Sequence, residues 1–184
     1  MQTLKAKVEI KSLDKKISIK RILGNFDGSK NGPTVIFFGG IHGNEKAGIH
    51  ALINVIQKIE DEGIIIEGNF YAVSGNLNAL KNNIRFTVED LNRIWTDDHL
   101  SYIKASGIEF NEDVQEQIAL IEIIKKIVST KEKPFYFIDL HTTSSKTNPF
   151  ITISDSLNNR KFTSNFSVPV VLGIEEYLDG PLLT

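Results

Sequence analysis

"TVIFFGGIHGNEKAG", Thr34 to Gly48, sets a run of β-branched and aromatic residues ahead of two glycines, a histidine and a glutamate. A continuous apolar run of this kind reads as a strand buried on both faces, the pattern of a parallel sheet. It ends in Gly39 and Gly40, and His42 and Glu45 follow at once, three residues apart. A helix is expected from Glu45 or Lys46 to about Glu60, with Leu52, Val55, Ile56 and Ile59 as its buried stripe. The stretch is therefore strand, turn and helix, and the turn presents an imidazole and a carboxylate.

Working outward, the same pattern recurs. "NFYAVSG" is a second buried strand, ended by Gly75. "PFYFIDLHTTSS" is a third, ended by His141 and small polar residues. Between them, residues 76–106 read as polar and irregular, and Glu112 to Ser129 as an amphipathic helix with Val114, Ile118, Ile121, Ile124 and Val128 on its apolar side. "PFITIS" and "VPVVLGI" read as further strands, with Asp155 capping a short helix to about Asn165. Towards the start, Lys5 to Ile10 and Lys16 to Ile22 alternate apolar and polar residues and read as two half-buried strands. Lys15, Lys16, Lys20 and Arg21 lie on their solvated face, and "FDGSKNGP" follows as a loop. Strands alternating with helices imply an α/β domain, 1–184, with a mostly parallel sheet covered by helices on both faces. Ligands of such sheets bind beyond the carboxyl ends of the strands, where His42 and His141 both fall.

Composition narrows the chemistry. With 21 basic and 23 acidic residues the net charge is −2, which offers no basic surface for nucleic acid or an anionic membrane. No segment has the length and apolarity of a signal peptide or membrane span, so a cytoplasmic location is the expectation. Cysteine is absent, so a metal site must be built from imidazoles and carboxylates. His42 and Glu45 are suited to zinc, and His141, brought by an independent strand, is the natural third ligand, leaving one position open. Asp139, two residues before His141, shares its face of the strand and can hold the ring of a metal-bound imidazole. The alternative is an Asp that satisfies backbone groups at the strand end. His50 and His99 read as ordinary helix and loop residues. "NIRFTVEDLNRIW", Asn83 to Trp95, adds Arg85, Asp90, Asn92 and Arg93. Arginines there can stabilise an oxyanion and grip a carboxylate, or form surface ion pairs.

"GGIHGNEKAG", "RFTVEDLNRIW" and "FIDLHTTSS", in that order, resemble the succinylglutamate desuccinylase/aspartoacylase family, a branch of the zinc-carboxypeptidase-like metallohydrolases. The resemblance spans about Val35 to Thr143. It implies a three-layer α/β/α sandwich with a mixed sheet and one Zn²⁺ held by His42, Glu45 and His141. It makes Arg85 the carbonyl-polarising residue, Asn92 and Arg93 the binders of the substrate carboxylate, and Asp90 the support of their loop. The implied reaction is hydrolysis of the amide bond of a small N-acyl amino acid, such as an N-succinyl or N-acetyl acidic amino acid, by an enzyme in which homo-oligomers are an option. The family's general base lies in a late G-x-E-x-G motif. "LGIEEYLDG" offers Glu175 or Glu176, but it resembles the segment that precedes that motif, which sets the expected base beyond Thr184 and the chain as a shortened one. No arginine follows Arg160, where some relatives place another substrate-binding arginine.

Rival readings keep the same ligands but change the task. One is a carboxypeptidase-type peptidase, and another is a zinc-binding domain without catalysis. A serine hydrolase using Ser144 or Ser145 lacks the G-x-S-x-G elbow, and "GGIHGNE" has neither phosphate-binding spacing.

Overall fold

The computed structural model describes residues 5–10, 15–29, 32–104 and 109–183, and their side chains except those of residues 5–10, 15, 16, 175 and 176. Its strands are β1 (Lys5–Ile10), β2 (Lys15–Lys20), β3 (Ile22–Asp27), β4 (Thr34–Gly39), β5 (Asn69–Ser74), β6 (Phe135–Leu140), β7 (Ile151–Ile153) and β8 (Val170–Leu172). Its helices are α1 (Ala47–Glu62), α2 (Leu77–Asn82), α3 (Asp97–Lys104), α4 (Glu112–Thr130) and α5 (Leu157–Thr163), with a 3-10 turn at Ile174–Tyr177.

The central sheet has the order β3-β5-β4-β6. β4 runs parallel to both β5 and β6, while β3 pairs antiparallel with β5, so the sheet is mixed. β4 lies between its two parallel neighbours, which is why "TVIFF" carries no polar alternation. Ile36 and Phe38 of β4 are fully buried and join Tyr71 and Val73 of β5 and Leu120 and Ile127 of α4 in the main core. Each such side chain contributes roughly 1.5–3 kcal/mol through burial. A second cluster gathers Ile19, Ile49, Leu77 and Leu80 where β2, α1 and α2 meet. β1 and β2 form an antiparallel hairpin, and β7 and β8 a separate parallel pair.

Several expectations change. The strand expected over Lys16 to Ile22 is two strands: β2 stops at Lys20, and Ile22 opens β3, which pairs with β5 in the central sheet. Gly24 and Asn25 hide that strand from the sequence, since both are poor strand formers. Arg21, at the break, is buried rather than solvated. Its guanidinium donates to the carbonyls of Ser74 and Gly75 and pairs with Glu116. Lys20 is exposed, and the side chains of Lys15 and Lys16 lie outside the described residues.

Residues 76–106, expected to be irregular, contain α2 and α3. Asn76 caps α2 by accepting from the Ala79 amide, 2.9 Å. In α1 the buried positions are Gly48, Ile49, Leu52 and Ile59, and Val55 is exposed, because it lies at the edge of the 100°-per-residue stripe centred near Leu52 and Ile56. The buried face of α4 is also rotated from its apolar stripe. Asp113, Glu116 and Gln117 are buried with Val114, Leu120 and Ile127, whereas Val128 is exposed. The polar three are buried because Arg21 and residues 76–94 supply their hydrogen-bond partners. Finally, Ser156 caps α5, accepting from the Asn159 amide at 3.2 Å, while Asp155 pairs with Arg160.

Candidate metal centre

The turn after β4 is shaped by its glycines. Gly40 has φ +71°, a left-handed conformation that side chains with a Cβ disfavour. A Cβ on Gly43 would fall 2.0 Å from the Ala79 carbonyl carbon, so only glycine lets this turn lie against α2. The Gly43 amide donates to the Arg85 carbonyl, 3.2 Å, tying the turn to the start of the arginine-bearing loop. His42 and Glu45 are thereby fixed before α1 begins, and both are buried. β6 runs beside β4 and delivers His141 to the same end of the sheet.

The three expected ligands meet. One donor atom from each of His42, Glu45 and His141 lies within 4.8 Å of the others. Glu45 stands between the rings: Oε1 is 2.9 Å from His42 Nδ1 and Oε2 is 3.2 Å from His141 Nδ1. The Thr142 amide also donates to Glu45 Oε2, 2.7 Å. The far nitrogens each face another carboxylate, His42 Nε2 that of Asp90 at 2.9 Å and His141 Nε2 that of Asp139 at 2.6 Å. A carboxylate at Nε2 holds the proton there and leaves the Nδ1 lone pair for a ligand. His42 is 3% exposed, whereas a third of the His141 side chain is open to solvent, so the cluster has one closed and one accessible side.

Arg85 donates from Nε and Nη2 to Asp90 Oδ2, 3.1 and 3.0 Å, and its Nη1 lies 3.5 Å from Glu45 Oε1. Asp90 also accepts the Asn92 amide, 2.9 Å. Asn92 is buried, with its side-chain oxygen accepting the Leu182 amide at 2.9 Å and its amide nitrogen 3.5 Å from His141 Nε2. Arg93 is exposed and donates to the Asn92 carbonyl, 2.6 Å. Glu175 lies in the 3-10 turn, and its side chain, like that of Glu176, lies outside the described residues. His50 is on α1, and His99 on α3 lies 3.8 Å from Glu89.

The electrostatics follow from this crowding. Burial pushes the Glu45 carboxyl up, but hydrogen bonds from His141, His42 and the Thr142 amide outweigh it and hold Glu45 far below the usual carboxylate range. Burial likewise opposes charge on His141, yet Asp139 and Glu45 raise it to about 10. Burial also works against ionisation of Asp90, but the Asn92 amide, His42 and Arg85 keep it below its ordinary value. Three carboxylates and one guanidinium around two imidazoles make a site that a divalent cation would neutralise. One oxygen of Asp139, Oδ1, is buried with no partner among the described residues. Two imidazole nitrogens and a carboxylate, without sulfur, fit zinc, and three protein ligands with a solvent-facing side fit an open site rather than a closed structural one. Sequence reasoning did not single out Thr142, whose contribution is a backbone amide and leaves no side-chain signal.

Fold and cluster together define an α/β protein with a His–Glu–His candidate metal centre at the carboxyl ends of its parallel strands. Residues 31–177 match the model of the succinylglutamate desuccinylase/aspartoacylase catalytic domain, and the chain belongs to that family. It is 27% identical over 109 residues to a succinylglutamate desuccinylase of Photorhabdus laumondii subsp. laumondii, covering 59% of this chain and 33% of that protein. Among solved structures, succinylglutamate desuccinylase from Vibrio cholerae superposes with a TM-score of 0.67 at 14% identity, covering 98% of this chain and 53% of that one. Murine aminoacylase 3 superposes with a TM-score of 0.55 at 22% identity, covering 78% and 48%. The chain thus spans a third of the curated relative's length and about half of these solved chains. Among the described residues no helix is long and apolar enough to cross a membrane.

Proposed function

We propose that the protein is a zinc-dependent amidohydrolase of the family's deacylase type, hydrolysing the amide bond of a small N-acyl amino acid. The observation that carries this reading is the convergence of His42 Nδ1 and His141 Nδ1 on Glu45, with each Nε2 held by its own aspartate. His42, Glu45 and His141 would hold one Zn²⁺. Lewis acidity is what the ion supplies there, acidifying water and polarising a carbonyl oxygen.

The remaining tasks fall to side chains of this chain. Asp90 and Asp139 keep the Nε2 protons in place and so keep both rings oriented. Arg85, beside the cluster and exposed towards solvent, would donate to the oxyanion that forms at the scissile carbonyl. Loss of one such donor typically costs about 10²–10³ in rate. Asn92 and Arg93 would bind the substrate carboxylate, the fork of Arg93 matching its two oxygens. Glu175 is the candidate within this chain for taking a proton from water and passing it to the leaving amine. The sandwich of three layers, with helices on both faces of the mixed sheet, is part of the same proposal.

Elemental analysis and a substrate panel test it. About one zinc per chain is expected, lost in His141→Ala. Unchanged metal content in that variant overturns the ligand assignment. N-acyl amino acids are expected to be cleaved in preference to short peptides. The reverse order makes the protein a peptidase, and zinc without hydrolysis makes it a non-catalytic zinc domain.

A further inference from the structure

The loop that bears Arg85, Asp90, Asn92 and Arg93 is held from behind by one face of α4. Asp113, in the first turn of α4, is 0% exposed. Its Oδ2 accepts three consecutive backbone amides, those of Thr87 at 3.1 Å, Val88 at 2.6 Å and Glu89 at 3.0 Å. Its Oδ1 accepts Asn76 Nδ2 at 2.6 Å and lies 3.2 Å from the Thr87 amide. Two residues earlier, Asn111, the cap of α4, donates to the Glu89 carboxylate. One turn later, Gln117 donates from Nε2 to the Ile94 carbonyl, 2.8 Å. Positions i and i+4 share a helix face, so Asp113 and Gln117 grip the loop on either side of residues 90–93.

We infer that Asp113 is a positioning residue: its carboxylate gathers the amides of residues 87–89 and thereby sets where Arg85, Asp90, Asn92 and Arg93 stand relative to the His42–Glu45–His141 cluster. This rests on the reading of that loop as the substrate-binding one. The carboxylate is needed for its charge state as well as its shape. Every group facing either oxygen is a donor, so an isosteric amide turns an NH₂ against N–H groups in both of its orientations. The negative charge also suits the first turn of α4, where the helix end is positive. Ser, Thr or Asn in this place could accept at most part of the set.

The test compares the zinc-loaded chain with Asp113→Asn and with Ile19→Ala, a truncation in the second core cluster, which holds no residue of the loop. Amide exchange at residues 87–89 and the Kd for N-acetylaspartate are read well below the melting temperature of each. Asp113→Asn is expected to speed exchange at Thr87, Val88 and Glu89 and to weaken binding, each by about tenfold or more, with zinc stoichiometry unchanged. Ile19→Ala is expected to lower the melting temperature and move neither. The inference is overturned if Asp113→Asn leaves both readouts unchanged, or if the two variants alter them equally. Val88→Pro, which removes one of the three amide donors and leaves the carboxylate, is the second variant should Asp113→Asn not fold, with the same expectation for binding and for exchange at Thr87 and Glu89. A parent chain that binds zinc but no member of a panel of N-acetyl and N-succinyl amino acids, N-acetylaspartate included, refutes the functional reading. Exchange at 87–89 then decides alone, supporting the inference if fast only in Asp113→Asn and refuting it if unchanged.

Discussion

Each imidazole of the cluster lies between two carboxylates, His42 between Glu45 and Asp90 and His141 between Glu45 and Asp139. Such a pairing leaves little freedom of ring orientation, and it costs little only while a positive charge sits among the acids. Arg85 supplies part of that charge through Asp90. Arg93 is different: its guanidinium is exposed and, among the described residues, spends one donor on the neighbouring Asn92 carbonyl, which leaves the rest of its fork for a ligand. Replacing Arg93 by Lys keeps the charge and loses the fork. Titration calorimetry is expected to show carboxylate-bearing N-acyl amino acids binding about tenfold more weakly to Arg93→Lys, with neutral analogues and the melting temperature little changed. Equal loss for both kinds of ligand removes Arg93 from the carboxylate site.

Among the elements, the turn between β4 and α1 is the most constrained. It carries two of the three candidate ligands and passes so close to α2 that Gly43 has no room for a methyl group. Gly43→Ala must push backbone away from backbone, and overpacking of this kind costs about 1–3 kcal/mol. Both the melting temperature and zinc affinity are expected to fall together, because the displaced turn carries His42 and Glu45. A variant that loses stability but binds zinc as before would show that the turn relaxes away from the site. α4 shows the opposite device. Its amphipathic stripe announces a helix, but half of what it buries is polar, and those polar residues are spent on Arg21 and the 76–94 segment rather than on the core.

At the scale of the whole molecule, ionisation ties the site to stability. Glu45 and Asp90 titrate below their ordinary values, so their contribution is complete above about pH 4.5 and is lost as the pH falls through their folded values. Asp27, lowered by Lys131 against the opposing effect of burial, adds to the same limb at the other end of the sheet. His141 is raised, so its contribution is complete below its ordinary 6.5 and is lost as the pH rises through about 10. The melting temperature of the metal-free protein is therefore expected to fall on both sides of a neutral plateau. Alkaline loss absent from the parent chain, or unchanged in His141→Ala, contradicts the pairing of that ring with Asp139 and Glu45.

The chain by itself determined the parallel strands β4, β5 and β6, the two long helices, and the family, because continuous apolar runs and a 3.6-residue period are local signals, as are the motifs around His42, Asp90 and His141. It also named the residues that converge, since a strand end next to a strand end leaves few other places for two histidines. Tertiary structure decided the rest. β3 became a sheet strand through pairing with β5 despite its glycine and asparagine, Arg21 turned inward because Glu116 and two carbonyls awaited it, and α4 rotated to bury Asp113 and Gln117. In each case a poor local preference was overruled by a partner distant in the chain, and no window of sequence contains both members of such a pair.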